Sequence, residues 1–80
     1  MSGMHEGEPR VKVTGESVYI SWDGKRYRAS YTVARRTGQL TDNHDPQINR
    51  DDITIVAGIL RGAGEKSLAD KVKRFHRNLT

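Results

Sequence analysis

Hydrophobic and polar residues alternate from Arg10 to Ala34, and this period of two is the clearest pattern in the chain. Successive side chains of a strand point to opposite faces, so such alternation describes strands with one buried and one wet face. Ser17 to Ala34 reads S-V-Y-I-S-W-D-G-K-R-Y-R-A-S-Y-T-V-A. Asp23-Gly24 suits a two-residue type I′ turn, which predicts a hairpin with Trp22 opposite Lys25, Ile20 opposite Tyr27 and Val18 opposite Ala29. One face then carries Val18, Ile20, Trp22, Tyr27, Ala29, Tyr31 and Val33. The other carries Ser17, Tyr19, Ser21, Arg26, Arg28, Ser30 and Thr32.

Arg10 to Thr14 alternates in the same way, and Gly15-Glu16 suits a type II′ turn. That register sets Val13 against Val18 and Val11 against Ile20, with Arg10 and Lys12 on the wet face. After the turn-like Arg35-Arg36-Thr37-Gly38, the segment Gln39-Leu40-Thr41 returns as a short strand with Leu40 opposite Val33. Asp42-Asn43-His44-Asp45-Pro46 is loop chemistry and ends it.

The period then changes. Asn49 is a helix N-cap candidate, and Asp52 sits at the third helical position, where it completes a capping box. Ile53, Val56, Ala57 and Leu60 follow at helical spacing, although Ile53, Ile55, Ala57 and Ile59 also alternate as a strand would. The cap signals favour a helix over 49–61. Ile55 and Ile59 fall outside its main stripe, as burial on two sides or a homodimer contact through residues 53–60 would require. Gly62-Ala63-Gly64 ends this helix. Leu68, Val72, Phe75 and Leu79 mark one face of a second helix over 65–79, with Ser67 and Asp70 resembling a capping box. The expected fold is α+β: an antiparallel β-meander of three or four strands over 10–42, one face covered by two C-terminal helices. Residues 1–9, with almost no apolar content, read as a disordered leader to this single domain.

Composition narrows the partners more than the chemistry. Eighty residues hide only roughly 60% of the unfolded surface, so the core is thin. There is no cysteine to staple it. The longest apolar run, Ile55 to Ala57, is too short for a membrane span or a signal-peptide core, so a cytoplasmic protein with no membrane partner is expected. Net charge is +4, and it is uneven: residues 10–36 hold seven basic and two acidic residues, while 37–52 hold four Asp against Arg50. Basic blocks around an acidic connector suit an anionic partner, nucleic acid or an acidic protein surface.

Catalytic and cofactor signals are absent. Gly64-Glu65-Lys66-Ser67 resembles the end of a phosphate-binding loop, but Glu65 separates Gly64 from Lys66 and the segment follows a helix. The four Asp residues and His44 lack the spacing of a cation site. His5, His44 and His76 are paired with no nucleophile or base. Neither an enzyme nor a cofactor is expected. The wet sheet face is the candidate site: Lys12, Tyr19 and Arg28 in one cross-strand row, Arg10, Ser21 and Arg26 in the next, and Arg35 and Arg36 at a loop tip. Lysine and arginine meet phosphates, and an exposed tyrosine stacks a base. The plainer alternative is a solvated face in which Tyr19 packs between the stems of Lys12 and Arg28.

Gly24 to Val33, G-K-R-Y-R-A-S-Y-T-V, followed by a turn and a short strand, resembles small uncharacterised phage or prophage proteins. That resemblance implies a context, binding and redirection of host machinery, and assigns no residue a role. The arrangement is also similar to DNA-binding domains in which a three-stranded sheet packs on a C-terminal helix. The sequence therefore points to a non-catalytic nucleic-acid-binding protein acting through Lys12, Tyr19, Arg26, Arg28, Arg35 and Arg36. The alternative is a phage-type inhibitor or adaptor, with a homodimer as one form.

Overall fold

A computed structural model describes residues 9–23 and 28–79, with only the main chain described at Asp23 and Arg28. Four strands, β1 (Arg10–Val13), β2 (Ser17–Asp23), β3 (Arg28–Ala34) and β4 (Leu40–Asp42), form one antiparallel sheet in the order β1-β2-β3-β4. Two helices follow, α1 (Arg50–Gly62) and α2 (Lys66–Phe75), and a short 3₁₀ turn spans Arg77–Leu79. The fold is the α+β meander that the alternation predicts.

Among the described residues the inward set of β2 to β4 holds, because Val18, Ile20, Trp22, Ala29, Tyr31, Val33 and Leu40 are all buried; Tyr27 lies outside the described residues. They meet Ile53, Val56, Ala57 and Leu60 of α1 and Leu68, Ala69 and Val72 of α2. Trp22 and Tyr31 meet edge to face with ring centroids 6.1 Å apart, an arrangement that aromatic quadrupoles favour.

The register of the central hairpin differs from expectation. Val18 pairs with Val33, Ile20 with Tyr31 and Trp22 with Ala29, four residues further along β3 than a two-residue turn allows. The expected Asp23-Gly24 turn falls partly on residues 24–27, outside the described residues. The longer connection lets Val33 and Tyr31 pair with the middle of β2 instead of overhanging it. A shift of four is even, so every described side chain of the hairpin keeps its face. The first hairpin has the expected register, Val11 against Ile20 and Val13 against Val18. Its turn is not type II′, since Gly15 does not adopt positive φ. Instead the Thr14 hydroxyl accepts the Ser17 amide at 2.9 Å and donates to the Ser17 carbonyl at 2.9 Å.

Helix α1 starts as its cap signals require. Asn49 Oδ1 accepts the Asp52 amide at 3.1 Å, and Asp52 Oδ2 accepts the Asn49 amide at 2.9 Å. It ends at Gly62 with Ala63 as C-cap, and Gly64, with φ of 84°, closes a Schellman turn: Glu65 N–H donates to the Leu60 carbonyl at 2.7 Å and Gly64 N–H to that of Arg61 at 3.1 Å. Helix α2 departs from expectation at both ends. Its N-cap is Glu65 with no side-chain cap, so Ser67 and Asp70 form no capping box. It stops at Phe75, and Phe75 and Leu79 are 49% and 41% exposed. The buried residues of α2 are Leu68, Ala69 and Val72.

Glycine is required at one contact. Gly38 has φ 84°, and a Cβ there would lie 2.5 Å from the Lys71 carbonyl carbon. The β3–β4 turn is pressed directly onto α2, and Lys71 Nζ donates to the Arg35 carbonyl at 3.2 Å.

Candidate nucleic-acid interface

Helices cover one face of the sheet, and the other is left open. Across that open face the register builds the row Lys12–Tyr19–Thr32–Thr41 and, beside it, Arg10–Ser21–Ser30. Lys12 and Arg10 are exposed, and Tyr19 is 41% exposed between them and β3. The tyrosine is exposed because its parity is opposite to that of Val18 and Ile20.

The two sides of this face differ in chemistry. Toward β4 the side chains satisfy one another: Asn43 Nδ2 donates to Ser30 Oγ at 2.9 Å and to Thr32 Oγ1 at 3.2 Å. Toward β1 lie the cations. On this face, positive charge among the described side chains of the strands is therefore gathered at the β1 edge.

Register changes the composition of the rows. The place beside Tyr19 expected for Arg28 is held by Thr32, because Arg28 pairs with Asp23 at the far end of the hairpin. The Arg28 side chain, and Arg26 as a whole, lie outside the described residues. Arg35 is turned to the opposite side of the sheet: its guanidinium meets both carboxylate oxygens of Glu65 at 3.3 Å. Strand parity contains that signal, since position 35 continues the inward series 29, 31, 33. Arg36 is exposed at the turn. It lines an open hollow of about 580 Å³ with Gly15, Glu16, Ser17, Ala34 and Arg35. Arg10, which shares the parity of Lys12, belongs with the candidate residues.

On the covered side, His76 has a structural role. Its Nε2 accepts the Leu40 amide at 2.9 Å, and burial lowers its pKa below the ordinary value. Among the described residues no group of three or more His, Cys, Asp or Glu side chains converges as a metal site requires. No described helix is long and apolar enough to cross a membrane. Comparison of the chain with known families, curated proteins and solved structures finds no match.

Proposed function

We propose that this protein is a non-catalytic binder of single-stranded nucleic acid, and that the open sheet face is its contact surface. The observation that carries this reading is Tyr19, 41% exposed, directly opposite the exposed Lys12 in the β1–β2 register. A phenol ring offers a base a stacking platform, and a cation one strand away meets the adjoining phosphate. Arg10 continues the cationic edge, Arg36 lies at the end of the sheet, and Arg26 and Arg28 belong to the same proposal through their place in the hairpin sequence.

Sheet width favours a single strand over a duplex groove. Three interstrand spacings put the outer strands about 14 Å apart, wider than a major groove of about 12 Å that admits a two-stranded ribbon. An open sheet face suits splayed bases.

The test is fluorescence anisotropy of a labelled oligothymidine against salt. Binding that weakens steeply with salt, and weakens again in Tyr19→Ala and Lys12→Ala, is expected. No binding at low salt, or equal binding by folded variants, overturns the reading.

A homodimer through residues 53–60 has less support. Ile55 and Ile59 are half-buried by packing against the chain's own core, which leaves little of their surface for a second subunit.

A further inference from the structure

The sheet has two edges, β1 and β4, and among the described residues they are met differently. Hydrogen bonds alternate along an antiparallel ladder, so the residues whose main-chain groups point outward follow from the pairs that bond inward. In β4, Ala34 N–H donates to Gln39 and Asn43 N–H to Ser30, so Leu40 points its amide outward. That amide is taken by His76. In β1, Thr14 N–H donates inward to Ser17, so Val11 and Val13 point their amides and carbonyls outward. No hydrogen bond from a described residue meets them.

The side chains of β1 match this open ladder. Val11 and Val13, on the helix side, are 36% and 51% exposed; Arg10 and Lys12, on the other side, are exposed cations. Helix α1 packs on the same side of the sheet. Its Arg61 reaches Asp70 of α2 at 3.4 Å, and α2 lies by β4, so the α1 flank bearing Ile55 and Ile59 faces away from β4.

We infer that β1 is a docking edge for an extended segment of another protein in which apolar and acidic residues alternate. Main-chain pairing with Val11 and Val13 adds a fifth strand. The segment's apolar side chains cover the two valines and its carboxylates meet Arg10 and Lys12. Charge decides against a second copy as the occupant. Registers that pair the length of β1 with itself, apolar faces aligned, set Lys12 against Lys12 or against Arg10, and like charges directly opposite are destabilising. The same lysine that blocks self-association admits an acidic strand.

The proline variants Val11→Pro and Val13→Pro test this directly, because each removes only an outward amide and edge strands tolerate proline there. The probe is a short labelled peptide of alternating valine and glutamate, with a valine–lysine peptide as control. The intact protein should bind the glutamate peptide alone, with the Val11 and Val13 amides shifting in its NMR spectrum. Val13→Pro should bind about tenfold more weakly, as expected for a lost main-chain hydrogen bond, with unchanged oligothymidine binding. Lys12→Glu, a surface change that leaves the core intact, should reverse the preference between the two peptides. Equal binding of both peptides, equal binding by Val13→Pro, or a parent protein that sediments as a β1-paired dimer overturns the inference. Because Val13 lies on the covered side of the sheet, loss of peptide binding and loss of nucleic-acid binding are separable results.

Discussion

The Tyr31 hydroxyl donates to Asp52 Oδ1 at 2.7 Å, while the other oxygen of that carboxylate holds the Asn49 amide at 2.9 Å. One side chain therefore fixes the start of α1 and ties it to the middle of the sheet. Tyr31→Phe should cost about 1.5–3 kcal/mol, the range for a hydrogen bond to a charged group, measured by urea unfolding. Paired with Asp52→Ala in a double-mutant cycle, it should show a coupling of about 0.5–3 kcal/mol. Additive losses would mean that the two groups do not act together.

The pairing of His76 with Leu40 makes stability sensitive to acid. Nε2 must be unprotonated to accept the Leu40 amide, and desolvation lowers the folded-state pKa below the ordinary histidine value of 6.5. The contribution is therefore complete above the unfolded value. It is lost as pH falls through the lower folded value, because the unfolded chain takes up the proton first. Melting temperature should fall from neutral to mildly acidic pH, and His76→Gln should flatten that part of the profile. An unchanged profile in the variant would remove His76 as the cause.

Gly38, buried in the β3–β4 turn, should be among the least tolerant turn positions. Its φ of 84° and the 2.5 Å approach to the Lys71 main chain act together. Gly38→Ala should cost about 2–4 kcal/mol, combining backbone strain with overpacking. Gly64 shares the φ of 84°, but a Cβ added there would meet nothing within 4 Å, so Gly64→Ala should cost less. Chemical denaturation of the two variants side by side gives the comparison.

On the open face, Tyr19→Ala should weaken oligothymidine binding by about 1–3 kcal/mol, the worth of one base stacked on an aromatic ring. Lys12→Ala and Arg36→Ala should each make the log–log salt slope shallower by about 0.7, one phosphate contact on a single strand. Arg35→Ala should behave otherwise. Its guanidinium is held by Glu65 on the helix side, so stability should fall by up to about 1 kcal/mol with little change in binding. A large binding loss in Arg35→Ala would relocate the interface to the sheet's end.

The alternation of the chain determined which side chains face inward, and the result survives the change in register. Side chains repeat every two residues, so pairings offset by four residues bury the same set. Ile20 and Tyr31 are buried and Tyr19 is exposed under either. The start of α1 was also legible, because Asn49 and Asp52 satisfy main-chain groups three residues apart and need no distant partner.

Tertiary structure decided the rest. Which residue opposes which across β2 and β3 depends on how much apolar surface the longer pairing aligns, a sum over the sheet that local turn chemistry does not contain. That pairing moved Arg28 away from Tyr19, and α2 supplied Glu65, thirty positions away in sequence, as the partner of an Arg35 that parity had already turned inward. The buried stripe of α2 stops at Val72, leaving Phe75 and Leu79 exposed. A local pattern specifies orientation, because orientation is a property of consecutive residues; register, coverage and ion pairing are relations between distant segments, and only their packing fixes them.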